Sequence, residues 1–199
     1  MMKQATNHTT GQNRAGDTRV FGTKLNQQVR MYPSGLMVDP MDISPDDITI
    51  EDLAHHLSLI CRWNGGVPGF YSVAEHSLRV ASKVDRRHAK WAMLHDAAEA
   101  YLGHITRPVK SRTFYNGYTF EDGSNDIVPA NVIELEILKA IGEKFGLCWP
   151  IPDEVWAADD IRLAEEDELI KEHKLNGNMP TNAERFFINA WDRIQTWGS

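Results

Sequence analysis

Apolar residues recur every three to four positions in six stretches of the chain, and this spacing predicts amphipathic helices. The stretches are residues 50–61, 71–81, 91–102, 129–145, 152–173 and 181–194. The segments between them are short or irregular. The pattern therefore predicts an all-α fold, a single helical bundle that occupies residues 20–199.

Capping residues mark where several of these helices begin and end. Thr49 precedes the first stretch, and Ser72, with Glu75 three residues later, forms a capping-box pattern ahead of the second. The same pattern recurs at Thr181, with a glutamate at position 184, and predicts the start of the last helix. Gly103 ends the third stretch, since glycine accepts the left-handed conformation that terminates helices.

Three segments lack helical periodicity. Residues 1–19 are polar and rich in Thr, Asn, Gly and Gln, so we expect them to be disordered. Residues 20–45 contain short apolar pieces separated by turn residues, which favours a small hairpin or extended segment. Residues 111–131 are predicted to form a long loop that serves as a lid or a disordered insert.

The composition fits one protein domain that works in the cytoplasm. A chain of 199 residues with 42% hydrophobic residues is long enough to bury one core. No apolar run approaches the ~20 residues of a membrane span, and the N-terminus lacks a signal-peptide core. Cys61 and Cys148 show no metal-binding spacing, so we expect reduced thiols and no redox chemistry.

The formal net charge of −7 argues against a nucleic-acid polymer as partner, because such a surface needs a basic stripe. A small phosphorylated ligand needs only a few local cations and remains compatible. Phe186, Phe187 and Trp191 give the last predicted helix an aromatic stripe that suits the core or a subunit contact. A homo-oligomer is expected.

The candidate chemistry lies on the third predicted helix. His95 and Asp96 are adjacent, and Glu99 lies one helical turn further on, above both of them. Apolar neighbours predict that this helix is buried, and a buried polar cluster needs partners from elsewhere in the fold. Glu99 is the candidate residue to take or give a proton.

Other helices supply candidate partners for this pair. His76 lies on the apolar face of its helix, and Asp159 and Asp160 both lie beside the apolar face of theirs, so periodicity does not decide between the two aspartates. Two imidazoles with carboxylates suit Zn, Mn, Co, Fe or Ni, one divalent ion per site, with Mg as a second ion. Such an ion activates water and polarises a phosphoryl oxygen.

The order His76, His95-Asp96, Asp159, together with the flanking text VAEHS and LHDAAEAYLG, resembles the HD superfamily of metal-dependent phosphohydrolases. From about residue 32 to 170 the chain is similar to its compact bacterial and phage branch. The resemblance implies an HD-type bundle in the cytoplasm of a bacterium or a phage-infected cell. It also implies that His76, His95, Asp96 and Asp159 are the metal ligands, because the family register places the aspartate after a small residue and seven before a glutamate.

Two loops in the sequence carry the candidate substrate contacts. RWNGG and RPVK look most like the phage-encoded dATP triphosphohydrolases. Trp63 would stack on a nucleobase with Pro108 opposite, although it could equally be a core aromatic. The remaining candidate contacts are Arg62, Gly65, Gly66 and Lys110. The HD 5′-nucleotidases have an aspartate where this chain has His104, so no role carries over to that position.

Three functions follow as alternatives. The first is a dATP-preferring triphosphohydrolase that yields deoxynucleoside and triphosphate by water attack at the α-phosphorus, which the spread of Arg62, Arg107 and Lys110 favours. The second is a 5′-nucleotidase or broader nucleotide phosphatase. The third is a non-catalytic nucleotide-binding module, since a fold alone does not establish catalysis.

Overall fold

The computed structural model describes residues 28–119 and 125–196, and it confirms an all-α bundle with small hairpins. The strands are β1 (Val29–Arg30), β2 (Met37–Val38), β3 (Phe114–Thr119) and β4 (Asn125–Pro129). The helices are α1 (Ile50–Leu59), α2 (Val73–Ala81), α3 (Ala89–Leu94), α4 (Glu99–Leu102), α5 (Arg107–Lys110), α6 (Ala130–Lys144), α7 (Asp153–Lys171) and α8 (Pro180–Gln195).

Helix α2 lies at the centre of the bundle, in contact with α1, α3, α7 and α8. Its residues from Val73 to Ser77 are all buried, which explains why a polar side chain on this helix must find polar partners inside the protein. Helix α8 closes the bundle against α1, α2 and α3, and Phe187 and Trp191 are its largest buried side chains. The aromatic stripe of the last helix therefore belongs mainly to the core.

The helix expected over residues 91–102 is interrupted at its centre. It consists of α3 and α4, and the residues between them form tight turns with hydrogen bonds three residues apart. The Ala97 amide donates to the Leu94 carbonyl at 2.9 Å, and the Glu99 amide donates to the Asp96 carbonyl at 3.0 Å. The His-Asp pair lies in this tightened segment, which is typical of short 3₁₀ turns at functional positions.

Two of the three predicted caps are present. The Thr49 hydroxyl accepts from the Asp52 amide, and the Ser72 hydroxyl accepts from the Glu75 amide at 3.1 Å. The third prediction is wrong, because α8 begins at Pro180 and Thr181 makes no side-chain cap. Proline suits the first helical turn, where its missing amide hydrogen is not needed.

The non-helical predictions had mixed outcomes. Strands β1 and β2 pair as the expected antiparallel hairpin, whereas residues 1–19 lie outside the described chain. The long loop expected over residues 111–131 is wrong, since β3 and β4 form a second antiparallel hairpin with an irregular register near Asn116. The RPVK text, also expected in a loop, forms the short helix α5, with Pro108 in its first turn.

Within residues 28–119 and 125–196, no helix is both long and apolar enough to cross a membrane. Cys61 and Cys148 are free thiols, in agreement with the absence of a disulfide pattern in the sequence.

Candidate metal centre and adjoining cavity

Two fully buried histidines face each other at the centre of the bundle. His76 is carried by the buried face of α2, and His95 follows α3 with its backbone still helical. Their Nε2 atoms lie 3.3 Å apart. A hydrogen bond at Nδ1 orients each ring. Nδ1 of His76 is 2.7 Å from a Glu166 oxygen, and Nδ1 of His95 is 2.8 Å from the Ala92 carbonyl. Both Nδ1 atoms therefore carry a proton, and both Nε2 atoms face the interior of the cluster.

Two carboxylates complete the cluster of donor atoms. Oδ2 of Asp96 lies 3.4 Å from Nε2 of His95 and 3.7 Å from Nε2 of His76. Oδ1 of Asp159 lies 3.0 Å from Nε2 of His76 and 3.7 Å from Nε2 of His95. Donor atoms that share one tetrahedral ion at roughly 2.1 Å are about 3.4 Å apart, so these spacings fit a common metal.

His76, His95 and Asp96 form a buried group that could hold a metal ion. Imidazole and carboxylate donors together match the chemistry of borderline divalent metals. Asp160, the neighbour of Asp159, is directed away and pairs with Arg107 at 3.0 Å. The structure thus brings all four expected ligands together and leaves Asp160 outside the cluster.

Burial and mutual charge shift the ionisation of these groups. Burial works against the charged form of His95, but the Asp96 and Asp159 carboxylates outweigh it and raise the pKa of His95 to about 9. Burial also opposes ionisation of the two carboxyls. The facing imidazoles nevertheless lower the pKa of Asp96 to about 2 and hold that of Asp159 well below its usual range. The cluster therefore presents two ionised carboxylates, which favour a bound cation.

A cavity of about 470 Å³ opens directly beside this cluster. Pockets that hold small organic ligands are roughly 300–1,000 Å³, so its size suits a nucleotide. Asp96, Glu99 and Asp159 line one side. Of the expected substrate contacts, the lining includes Arg62, Trp63, Pro108 and Lys110, whereas Gly65 and Gly66 belong to the adjoining turn.

The turn that carries Trp63 has an unusual backbone. Trp63, Asn64 and Gly65 all have positive φ, at 56°, 52° and 80°. A left-handed conformation costs a residue with a side chain roughly 1–2 kcal/mol, and strain of this kind clusters at functional sites. The Trp63 indole Nε1–H donates to Glu166 at 3.1 Å, which holds the ring at the cavity wall.

The three expected cations have different surroundings. Arg62 is 6% exposed and donates to Asp96 at 2.9 Å and to Glu166 at 3.3 Å. Lys110 Nζ donates to Glu134 at 2.7 Å. Arg107 donates to Asp159 at 2.8 Å and to Asp160 at 3.0 Å, so all three cations are paired with carboxylates. The Arg107 side chain is 61% exposed and is the most accessible of the three.

Glu99 is 4% exposed, and its carboxylate meets Nδ1 of His104 at 3.0 Å through both oxygens. Burial and the nearby Asp96 carboxylate raise the pKa of Glu99. Oxygen atoms of Asp96, Glu99 and Glu134 lie within 4.8 Å of one another, a second group that could hold a cation. An all-oxygen set suits Mg²⁺ better than the histidine cluster does.

Three residues at this site were not among the candidates from the sequence. His104 orients Glu99, Glu134 pairs with Lys110, and Glu166 receives the His76 ring. Glu166 lies seven residues, or about two helical turns, after Asp159 on α7, so a shared helix face was the available signal. His104 lies in the irregular sequence after Gly103, and Glu134 lies on the helix predicted over residues 129–145, where no pattern marked it as a site residue.

No family model matches the chain. The "Uncharacterized protein RCAP_rcc00048" of Rhodobacter capsulatus is 37% identical over 152 residues, which cover 69% of this chain and 70% of the relative. The chain belongs to the same family as this Rhodobacter protein. The name of this relative describes no activity.

A second relative is the "Uncharacterized protein YfdR" of Escherichia coli strain K12. It is 37% identical over 125 residues, and the match covers 62% of this chain and 62% of YfdR. Its name describes no activity either.

Proposed function

We propose that the protein is a metal-dependent phosphohydrolase of deoxynucleoside triphosphates, with dATP as the favoured substrate and deoxyadenosine and triphosphate as products. One observation carries the proposal: the cluster of His76, His95 and Asp96, with Asp159 3.0 Å from His76, adjoins a nucleotide-sized cavity whose lining also includes an indole and three cations. The resemblance to HD phosphohydrolases supports the same reading.

The four inward-facing groups, His76, His95, Asp96 and Asp159, would hold the ion, which is Zn, Co, Mn, Fe or Ni. When bound, it would lower the pKa of a coordinated water and polarise a phosphoryl oxygen. The chain supplies the ring orientation that directs both Nε2 atoms toward the ion, which would displace the proton of His95 on binding. Asp96, Glu99 and Glu134 would hold a second ion, Mg²⁺, near the phosphates.

Glu99 would accept the proton of the attacking water and donate it to the leaving group. In this reaction a water oxygen bonds to the α-phosphorus, the bond from phosphorus to the 5′-oxygen breaks, and the 5′-oxygen leaves with a proton. The Glu99 carboxylate lines the cavity beside Asp96 and is fixed by His104, so it can take the proton from water and return it to the leaving oxygen.

The base would be held between Trp63 and Pro108 on the cavity walls. Stacking on an aromatic ring contributes ~1–3 kcal/mol per base. The outer phosphates would meet Arg107 first, since it is the most exposed of the three cations, with Arg62 and Lys110 deeper in the wall. Charge-assisted hydrogen bonds of this type suit phosphate oxygens.

A second candidate function is favoured by the pairing of all three cations. Because Arg62, Arg107 and Lys110 each form ion pairs with carboxylates, the cavity carries less free positive charge than a triphosphate tail would use. A monophosphate needs less positive charge than a triphosphate. The alternative is therefore a 5′-nucleotidase that uses the same cluster and releases orthophosphate.

The experiment that separates these functions is a product analysis. The protein is incubated with each deoxynucleoside mono-, di- and triphosphate and with Zn²⁺, Co²⁺ or Mn²⁺ in turn, and the products are separated. We expect deoxyadenosine and intact triphosphate from dATP. Orthophosphate from monophosphates, with dATP untouched, would replace the proposal by the 5′-nucleotidase; no hydrolysis of any substrate would leave a binding module.

A further inference from the structure

The Glu166 side chain is completely buried on α7 and accepts hydrogen bonds on both oxygens. Oε1 accepts from three donors. They are Nδ1 of the candidate metal ligand His76 at 2.7 Å, the Tyr71 hydroxyl at 2.8 Å and Nε of Arg162 at 3.1 Å. Burial opposes its ionisation, but His76 and Arg62 lower the pKa of Glu166 to about 2. Glu166 is therefore a buried carboxylate whose charge is compensated by its donors.

The other oxygen serves the cavity side. Oε2 accepts from the Trp63 indole at 3.1 Å and from Nε of Arg62 at 3.3 Å. These two residues belong to the turn with left-handed backbone, so the hydrogen bonds to Glu166 hold a strained segment in place. One carboxylate thus contacts a candidate metal ligand through one oxygen, and the candidate base-stacking Trp63 and its neighbour Arg62 through the other.

We propose that Glu166 is a positioning residue that couples the His76–His95–Asp96–Asp159 centre to the Arg62–Trp63 turn, so that a bound metal ion orders the indole against which the base stacks. The coupling rests on the proposed function only in taking these residues as the metal site and the base wall.

The two contacts are made by one rigid group. Because a carboxylate is planar, a hydrogen bond that holds Oε1 against His76 also sets the position of Oε2 against the turn. Tyr71 and Arg162, themselves joined at 3.2 Å, restrict movement on the Oε1 side. Arg62 adds a second link, because its NH1 group donates to Asp96 within the donor cluster. Coupling of this kind is reciprocal, so a change in the turn also alters metal affinity.

The test follows the Trp63 indole N–H signal by nuclear magnetic resonance during a titration with Zn²⁺, with no nucleotide present. The signal is assigned by its loss in Trp63→Phe. We expect Zn²⁺ to shift it in the unmodified protein, and the shift to fall by at least about half in Glu166→Gln, which keeps the size of the side chain but removes an acceptor. Glu168→Gln is the control, since Glu168 is an exposed carboxylate on the same helix and pairs with Lys171.

The proposal is overturned if Zn²⁺ does not shift the indole signal in the unmodified protein, or if it shifts the signal equally in Glu166→Gln. Trp63→Phe gives a second route if Glu166→Gln does not fold. It keeps an aromatic ring and loses the donor, and we expect it to weaken Zn²⁺ binding about five-fold, the low end of typical coupling between sites. The exposed Trp149, changed to Phe, is the control. Unchanged Zn²⁺ affinity in Trp63→Phe would also contradict the coupling.

These outcomes are independent of the reaction. A protein that hydrolyses dATP but shows no Zn²⁺ response at Trp63 would lose the coupling and keep the proposed function. If the indole signal responds to Zn²⁺ through Glu166 but the protein hydrolyses no nucleotide, the proposed function is lost and the coupling is kept.

Discussion

Asp159 and Asp160 are neighbours in the chain, yet their side chains meet different surroundings. Asp159 is 7% exposed, with one oxygen 3.0 Å from His76, whereas the Asp160 side chain is 67% exposed and pairs with Arg107. Successive residues on a helix differ by about 100° in direction, so only one of the two can face the histidines. The difference gives a matched pair of variants at the same point of α7.

Asp159→Asn should remove an inward carboxylate and lower the content of bound Zn²⁺ or Mn²⁺ by at least about tenfold. Asp160→Asn should leave metal content close to that of the unmodified protein, because it changes only an exposed ion pair. Metal analysis after dialysis against a fixed free metal concentration measures both. Loss of metal in Asp160→Asn alone would show that the assignment of the ligand is wrong.

Trp63 is expected to act mainly on substrate binding. Trp63→Ala removes a stacking surface that contributes ~1–3 kcal/mol in both ground and transition states, so KM for dATP should rise roughly 5- to 150-fold with little change in kcat. Steady-state kinetics measures the split. Trp63→Phe should keep most of the stacking. If instead kcat falls at unchanged KM, the indole serves packing and not base contact.

At the scale of single residues, the sequence predicted the inward positions of His76 and His95 from apolar periodicity alone. The sequence did not identify the side chains that hydrogen-bond to the site residues. The bond from His76 to Glu166 joins residues 90 positions apart, and the bond from Lys110 to Glu134 joins α5 to α6. The bond from His104 to Glu99 depends on how the chain turns after α4. Periodicity describes one face of one helix and contains no information about which side chain of another element it meets.

At the scale of elements, the long helices were predictable because each has a repeating apolar face. The β3–β4 hairpin was missed because its sequence has glycine and polar residues, little alternation and an irregular register at Asn116. The break within the His-Asp helix was missed for a different reason. Hydrogen bonds to the third preceding residue preserve nearly the same apolar spacing as an α-helix, so the pattern cannot distinguish them.

The caps allow a test of element boundaries. Ser72 is fully buried, and its hydroxyl accepts from the Glu75 amide at the start of α2. Ser72→Ala should reduce the free energy of unfolding by about 1 kcal/mol, and Thr181→Ala should change it by less than about 0.5 kcal/mol, since Thr181 does not cap α8. Urea denaturation followed by circular dichroism compares the two. Equal losses would contradict the observed start of α8.

At the scale of the whole molecule, the candidate site depends on the assembly of separate helices. His76 comes from α2, Asp159 and Glu166 come from α7, and the His95-Asp96 pair lies between α3 and α4. Helix α8 supplies no cluster residue but packs on α1, α2 and α3. Packing of α8 therefore supports the site from a distance by fixing α2.

Phe187 and Phe186 test this support as adjacent residues on α8. Phe187 is completely buried and Phe186 is 41% exposed. Phe187→Ala should destabilise the protein by about 3–5 kcal/mol, and Phe186→Ala by about 1 kcal/mol or less. Denaturant midpoints of the two variants measure the difference. Similar midpoints would mean that α8 does not pack through the face described here.

Under the proposed function, nucleotide hydrolysis requires a divalent ion held by His76, His95, Asp96 and Asp159. The most direct test measures dATP hydrolysis by the unmodified protein and by His95→Ala, each stripped of metal with a chelator and then supplied with Zn²⁺, Co²⁺ or Mn²⁺. We expect stripping to abolish hydrolysis and metal to restore it only in the unmodified protein, with His95→Ala still helical by circular dichroism. Full activity in metal-stripped His95→Ala would contradict the claim.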